Sequence, residues 1–320
     1  MRFHIQNPPE PNQFDITEAQ WLEAGGGVHS VTFGRTAEDF AAVAAEIEAL
    51  IAPASKARAL LACPAPRLRM LFVTSAGVDK MMPLDWLPPE VMLINNSGTH
   101  SAKVGEYALM SLLMLSARIP AYVAAQREER WQEIFTPTLD GRPLLVIGTG
   151  DLGAASARAA RHFGIHATGV RTRAEPHPDF DTVITVDDLD AALASAEFVI
   201  LAAPMTPATA GMMSRTRLGL LPKGACLVNI GRGGLVDQDA LCDALDSEYL
   251  AGAVIDVTTP EPPPPGHRLW HTRNLIITPH VAADSPLTYN RDSLRIFMRN
   301  LAEIEAGGLP SNLVDRDKGY

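Results

Sequence analysis

Three polar residues stand just past apolar runs of this chain, and their types suit one reaction. Arg232 lies in LVNIGRGGLVD (227–237), Glu261 in GAVIDVTTPEP (252–262) and His280 in IITPHVAA (276–283). A guanidinium binds a carboxylate through a planar fork of donors, and it polarises a neighbouring ketone oxygen. An imidazole titrates near neutral pH and gives a proton to that oxygen as hydride arrives at carbon. A carboxylate bonded to the imidazole fixes its tautomer and favours its protonated form. Together the three make a site for hydride transfer to a 2-oxo acid. Taken singly, each has a plain reading: a surface-loop charge, a solvated acid before prolines, a structural histidine. Asp256, in the same run as Glu261, is a candidate to hold a nicotinamide carboxamide.

A dinucleotide has its own signal. The stretch LLVIGTGDLG (144–153) carries Gly148, Gly150 and Gly153 in G-x-G-x-x-G spacing, after an apolar strand and before an Ala-rich helix. The first glycine permits the tight turn, the second lets the backbone approach a pyrophosphate, and the third lets helix and strand pack closely. The helix N-terminus offers unpaired N–H groups to the phosphates. At the tip of the following strand, NAD-binding sites place a carboxylate for the ribose hydroxyls. This chain places Arg171, Thr172 and Arg173 there. Two guanidiniums and a hydroxyl suit a 2′-phosphate, so NADP(H) is favoured, with NAD(H) the alternative.

Elements must bring these residues together. Short apolar runs at 2–5, 28–33, 50–52, 71–74 and 91–94 read as strands, and 37–49 has helical periodicity. A long helix is expected over 101–126, with Val104, Ala108, Leu109, Leu112 and Leu115 on its apolar face and Pro120 as its break. Further strands are expected at 144–147, 165–170, 198–202, 225–230, 253–256 and 275–278. Helices are expected at 154–163, at 237–245 with Asp237 as its cap, and at 284–306. The alternation predicts an α/β chain of parallel sheets with covering helices. Residues 102–284 form a dinucleotide-type domain in this reading. It is inserted into a second, substrate domain made of 1–101 and completed by 285–320. Arg232, Asp256, Glu261 and His280 then all fall at the carboxyl ends of strands, the rim where such sheets bind ligands.

Length and composition agree. The 320 residues suit two domains, and 47% hydrophobic with 20% charged residues is ordinary for globular proteins. Lys plus Arg number 27 against 37 Asp plus Glu, a formal net charge of -10. An acidic chain without a basic block argues against nucleic acid or an anionic membrane as partner. Cys63, Cys226 and Cys242 match neither a disulfide framework nor a zinc pattern, and no metal site is expected. The N-terminus lacks the apolar core of a signal peptide, and the longest apolar stretch, 107–117, is too short to span a bilayer. A soluble, cytoplasmic protein is expected.

These motifs resemble the D-isomer-specific 2-hydroxyacid dehydrogenases, with the glyoxylate/hydroxypyruvate reductases most similar. The resemblance rests on SAGVD (75–79), NNSGTHSAKVGEYAL (95–109), VIGTGDLG (146–153), APMTPATAGMM (203–213), NIGRGGLVD (229–237), DVTTPEP (256–262) and TPHVA (278–282), in the family's order. It implies two Rossmann-like/flavodoxin-like doubly wound parallel-sheet domains with a cleft between them. It implies Arg232, Glu261 and His280 as the catalytic set. It implies substrate binding by Arg232 and His280 and by the backbone of Ala76, Gly77 and Val78. Cofactor contacts are implied at Gly148, Thr149, Gly150, Asp151, Leu152, Arg171, Thr172, Arg173, Ala203, Pro204, Ile230, Gly231 and Asp256. It further implies a small 2-oxo or 2-hydroxy acid substrate and a homodimer built around residues 102–140. Thr258 stands where the family often has an aromatic residue, and residues 1–70 carry little motif-level match.

Two other readings compete. Formate dehydrogenases share much of this pattern but use Gln where this chain has Glu261, and formate oxidation needs no proton shuttle at a ketone oxygen. Dinucleotide-sensing corepressors bind peptides without turnover, and nothing in residues 1–100 singles out a peptide groove.

Overall fold

Twelve short runs rich in aliphatic residues become strands. Several are buried along their whole length, as expected of parallel strands covered on both faces. The computed structural model describes all residues from Met1 to Tyr320. It divides into two units, Met1–Thr99 with Ser285–Tyr320, and His100–Asp284.

In the first unit, β1 (Arg2–Gln6), β2 (Ser30–Gly34), β3 (Ala49–Ala52), β4 (Met70–Val73) and β5 (Met92–Ile94) form one sheet. Its order is β2-β1-β3-β4-β5, and every pairing is parallel. The helix Tyr289–Glu305 belongs to this unit. It buries Leu294, Phe297 and Leu301 in a core with Phe3, Ile5, Trp21 and Phe72. The Phe297 ring meets those of Phe72 at 5.2 Å and Phe3 at 5.7 Å. Asn96 Nδ2 donates to Ser293 Oγ at 2.7 Å, tying the helix to the end of β5.

The second unit holds β6 (Pro143–Ile147), β7 (His166–Arg171), β8 (Thr182–Thr185), β9 (Phe198–Leu201), β10 (Cys226–Asn229), β11 (Gly252–Ile255) and β12 (Leu275–Ile277). All are parallel, in the order β12-β11-β10-β9-β6-β7-β8. Counted from its own first strand, that is the dinucleotide-fold order with one strand added. The strand order reverses between β6 and β9, where such sheets bind their ligands.

Three expectations need correction, and one strand was not expected. The helix at 37–49 is regular only over Ala37–Ala41. Phe40, Ala44 and Ile47 are buried, so the periodicity is genuine, but turns carry it onward to β3. The long helix is two, Ser101–Ser116 and Ile119–Arg127, bent by 60°. The break falls at Arg118, whose φ is +58°, and Pro120 sits in the first turn of the second helix, where its missing N–H is tolerated. The closing helix starts at Tyr289 rather than 284, because Pro286 disfavours helical backbone at Ser285. Strand β8, a half-buried edge, carries too weak an apolar signal to be read. No single helix is long and apolar enough to cross a membrane. Cys226 and Cys242 are buried free thiols, and burial pushes Cys226 up to about 11.

Candidate active site

The order of strands in the second unit is also an order of site residues. Past β12 comes His280, past β11 Asp256 and Glu261, and past β10 Ile230, Gly231 and Arg232. Past β9 come Ala203 and Pro204, and past β6 Gly148 to Leu152. Strand β7 ends at Arg171, followed by Thr172 and Arg173. Neighbouring strands lie about 4.8 Å apart. The edge therefore presents a row suited to an elongated ligand, with arginines at one end and the imidazole at the other.

At the turn after β6, Gly148 has φ +100°, and its N–H donates to Val170 O at 2.9 Å. A Cβ there would lie 2.6 Å from Ala203 N. A Cβ on Gly153 would lie 1.9 Å from the Gly148 carbonyl oxygen, so the helix Asp151–Arg161 packs directly on the turn. Gly150, the N-cap, differs: a Cβ there meets nothing within 4 Å. Open space before a helix N-terminus is what a pyrophosphate needs. The residues fit a dinucleotide. Thr149 is buried, with its methyl against Gly169 of β7.

Arg171 and Arg173 share one internal partner, Glu175, at 3.9 and 3.5 Å. Thr172 and Arg173 are exposed.

Arg232 is held by its neighbours' backbone. The buried Asn229 donates from Nδ2 to Arg232 O at 2.9 Å and accepts from Gly231 N at 3.1 Å. The guanidinium donates to Gly231 O at 2.9 Å. A Cβ on Gly233 would lie 2.1 Å from the carbonyl carbon of Thr258. The Arg232 loop therefore packs against the segment that leads to Glu261.

Glu261 and His280 meet. Nδ1 of His280 lies 2.7 Å from Oε1 of Glu261, and both side chains are partly exposed. A carboxylate only accepts, so Nδ1 carries the proton and Nε2 is left for another partner. The Glu261 loop is steadied by Gln238. Its side-chain amide accepts from Thr259 N at 3.0 Å and donates to Thr259 O.

Asp256 is buried, and its carboxylate is engaged by the His280 loop. Oδ1 accepts from Thr278 Oγ1 at 2.5 Å and Val281 N at 2.9 Å, and Oδ2 from Ala282 N at 2.9 Å. The expected contact to a nicotinamide carboxamide thus competes with a structural task. Tyr107 O–H lies 2.6 Å from Thr278 Oγ1. Burial pushes its phenol up to about 12. His100 is buried nearby and donates from Nδ1 to Ala283 O at 3.2 Å; burial holds its imidazole below the ordinary value. Sequence reasoning missed Tyr107, Gln238 and Thr278. The one available signal was a lone phenol on the apolar face of a helix.

In the first unit, Ala76, Gly77 and Val78 follow β4. Their N–H groups donate to no acceptor in the chain. Such a run suits an anion.

Comparison with known proteins follows the same line. Residues 109–282 match the family model for the D-isomer specific 2-hydroxyacid dehydrogenase, NAD binding domain. A glyoxylate reductase of Korarchaeum cryptofilum is 30% identical over 79% of this chain and 78% of its own. A glyoxylate/hydroxypyruvate reductase A of Serratia proteamaculans is 30% identical over 79% and 82%. A crystal structure of a D-isomer specific 2-hydroxyacid dehydrogenase from Xanthobacter autotrophicus Py2, in complex with NADPH, superposes with a TM-score of 0.85. It is 29% identical and covers 100% of this chain and 99% of its own.

Proposed function

This chain belongs to the D-isomer specific 2-hydroxyacid dehydrogenases, and from that footing we propose that it reduces a small 2-oxo acid of the glyoxylate or hydroxypyruvate kind. The family makes it an NAD(P)-dependent oxidoreductase. The observation that carries the finer reading is the 2.7 Å pair of His280 and Glu261 on the rim that also holds the phosphate loop.

Bound NADPH supplies a hydride, two electrons and one hydrogen, to C2 of the substrate. His280, as imidazolium, gives its Nε2 proton to the carbonyl oxygen. The C=O π bond is replaced by one C–H and one O–H bond, and the imidazole is left neutral. Glu261 stabilises the charged ring before transfer and keeps Nε2 facing outward. Arg232 holds the substrate carboxylate and draws electron density from the ketone oxygen. In the first unit, the N–H groups of Ala76, Gly77 and Val78 are assigned to a substrate carboxylate. The turn Gly148–Leu152, with Ala203, Pro204, Ile230 and Gly231, is assigned to the dinucleotide. Arg171, Thr172 and Arg173 are assigned to its 2′-phosphate, which favours NADP(H). The NADPH complex of the Xanthobacter relative supports that preference. Glu261, rather than Gln, speaks against formate oxidation.

A second copy of the chain is the proposed partner. The segment from Met110 to Phe135 exposes Met110, Leu113, Ile119 and Val123, with Trp131 and Phe135 at 94% and 93% exposure. Aromatic residues so exposed mark an association surface. Replacing both by serine is expected to turn a dimer into a monomer in sedimentation.

The test of the reaction is a panel of glyoxylate, hydroxypyruvate, pyruvate, phenylpyruvate and larger 2-oxo acids, each with NADPH and NADH. Turnover of the two small acids with NADPH is expected. Dinucleotide binding without turnover of any of them would overturn the reading in favour of a sensor.

A further inference from the structure

His280 has φ +57°, in the left-handed region that a residue with a Cβ enters only when its surroundings hold it there. The bonds that hold it converge on Asp256. The Asp256 carbonyl accepts from His280 N at 2.9 Å. Its carboxylate takes the Thr278 hydroxyl on one side of the histidine and the N–H groups of Val281 and Ala282 on the other. The loop is thereby bracketed from residue 278 to 282 by one side chain at the end of β11.

The direction of the hydroxyl chain follows from valence. A carboxylate has no hydrogen to give, so the single Thr278 hydroxyl hydrogen points at Asp256. The Thr278 oxygen is then an acceptor, and the hydrogen of its 2.6 Å contact comes from Tyr107 O–H. Tyr107 is buried in the helix Ser101–Ser116. A phenol raised to about 12 keeps its proton throughout the working range.

We propose that Tyr107 and Thr278 are positioning residues that act through Asp256 to hold the His280 loop in the orientation where Nδ1 faces Glu261 and Nε2 faces the substrate. This assignment rests on the proposed reaction for its catalytic consequence, but not for its structural one. Neither residue is assigned a contact with substrate. The two lie 171 residues apart in sequence, and their hydroxyls join the helix Ser101–Ser116 to the loop that carries His280.

The test uses Tyr107→Phe, Thr278→Val and Thr278→Ser in the full chain. The first readout is the 15N spectrum of selectively labelled histidine, with His280 assigned by its loss in His280→Gln. In the unaltered protein the His280 ring is expected to show the tautomer protonated at Nδ1. In Tyr107→Phe and Thr278→Val its two nitrogen signals are expected to move toward each other, and Thr278→Ser to restore them. The second readout is kinetic. The kcat is expected to fall by roughly 10- to 100-fold with the KM for NADPH nearly unchanged, since a misplacement of about 1 Å can cost about 100-fold. Unchanged ring signals in Tyr107→Phe, which removes a single oxygen, would overturn the proposal even if Thr278→Val failed to fold. Shifted signals in a protein that reduces no 2-oxo acid would uphold the anchor and overturn the reaction instead.

Discussion

The Glu261 carboxylate meets Nδ1 of His280 at 2.7 Å, across 19 residues of sequence. The proposed proton donor and the carboxylate that orients it are therefore separable by mutation. His280→Gln is expected to lower kcat by roughly 100- to 10,000-fold, the usual worth of a positioned acid. NADPH affinity, read by fluorescence titration, should stay within a few-fold. Glu261→Gln keeps an oxygen that can accept from Nδ1 but removes the charge, so its loss should be smaller. A His280→Gln protein with native turnover at saturating substrate would sink the acid assignment.

Gly150 and Gly153 should respond in opposite ways to alanine. At Gly153 the methyl would sit 1.9 Å from a backbone oxygen, so the fold itself suffers, by about 1–3 kcal/mol as overpacking commonly does. At Gly150 the methyl meets nothing within 4 Å and φ is an ordinary −69°. Gly150→Ala should therefore melt like the parent yet bind NADPH weakly, because the methyl occupies the room kept for the pyrophosphate. Unimpaired NADPH binding by Gly150→Ala would move the phosphate site elsewhere.

Glu175 neutralises the two arginines at the β7 tip. Arg171→Asp is expected to lower the preference for NADPH over NADH, in kcat/KM, by about tenfold or more, the worth of a charged hydrogen bond. Glu175→Gln should raise it, since an internal competitor for the guanidiniums is gone. If neither variant changes the ratio, the 2′-phosphate is read by other residues.

Two buried imidazoles should make the protein acid-sensitive. Burial lowers His4 in the first unit and His100 in the second below the ordinary 6.5. The unfolded chain then binds more protons than the folded one between the lowered values and 6.5. Stability is full above that window and is lost as pH falls through it. Urea midpoints should decline below about pH 6.5, and His4→Gln should flatten the decline. The Asp179 carboxylate, held low by Arg158, contributes its loss at more acidic pH. A midpoint independent of pH across the histidine window would contradict the burial argument.

The sheet architecture was legible because parallel strands write themselves as unbroken apolar runs, as in Pro143–Ile147 and Phe198–Leu201. The acid–base pair was legible as residue types at strand ends, though only coordinates show Glu261 touching His280. What stayed hidden is long-range. The Tyr107–Thr278 and Asn96–Ser293 bonds join residues with no local pattern to connect them. Nor does a lone acid at a strand end, such as Asp256, carry any sign that its own loop engages both of its oxygens. The helix over residues 37–49 misled for another reason: burial at helical spacing needs only turns of similar pitch.

The first unit is built from two stretches that precede and follow the second in the sequence. A ribosome delivers chain in one direction, so Phe3, Trp21 and Phe72 emerge long before Phe297 and Leu301, which complete their core. Residues 100–284 are complete before the helix that closes the first unit is made, so they can fold as a closed insert while the amino-terminal sheet waits for that helix. The usual amino-to-carboxyl order of domain folding during translation is therefore expected to be inverted here. Nascent chains stalled before residue 289 should be the ones that chaperones hold.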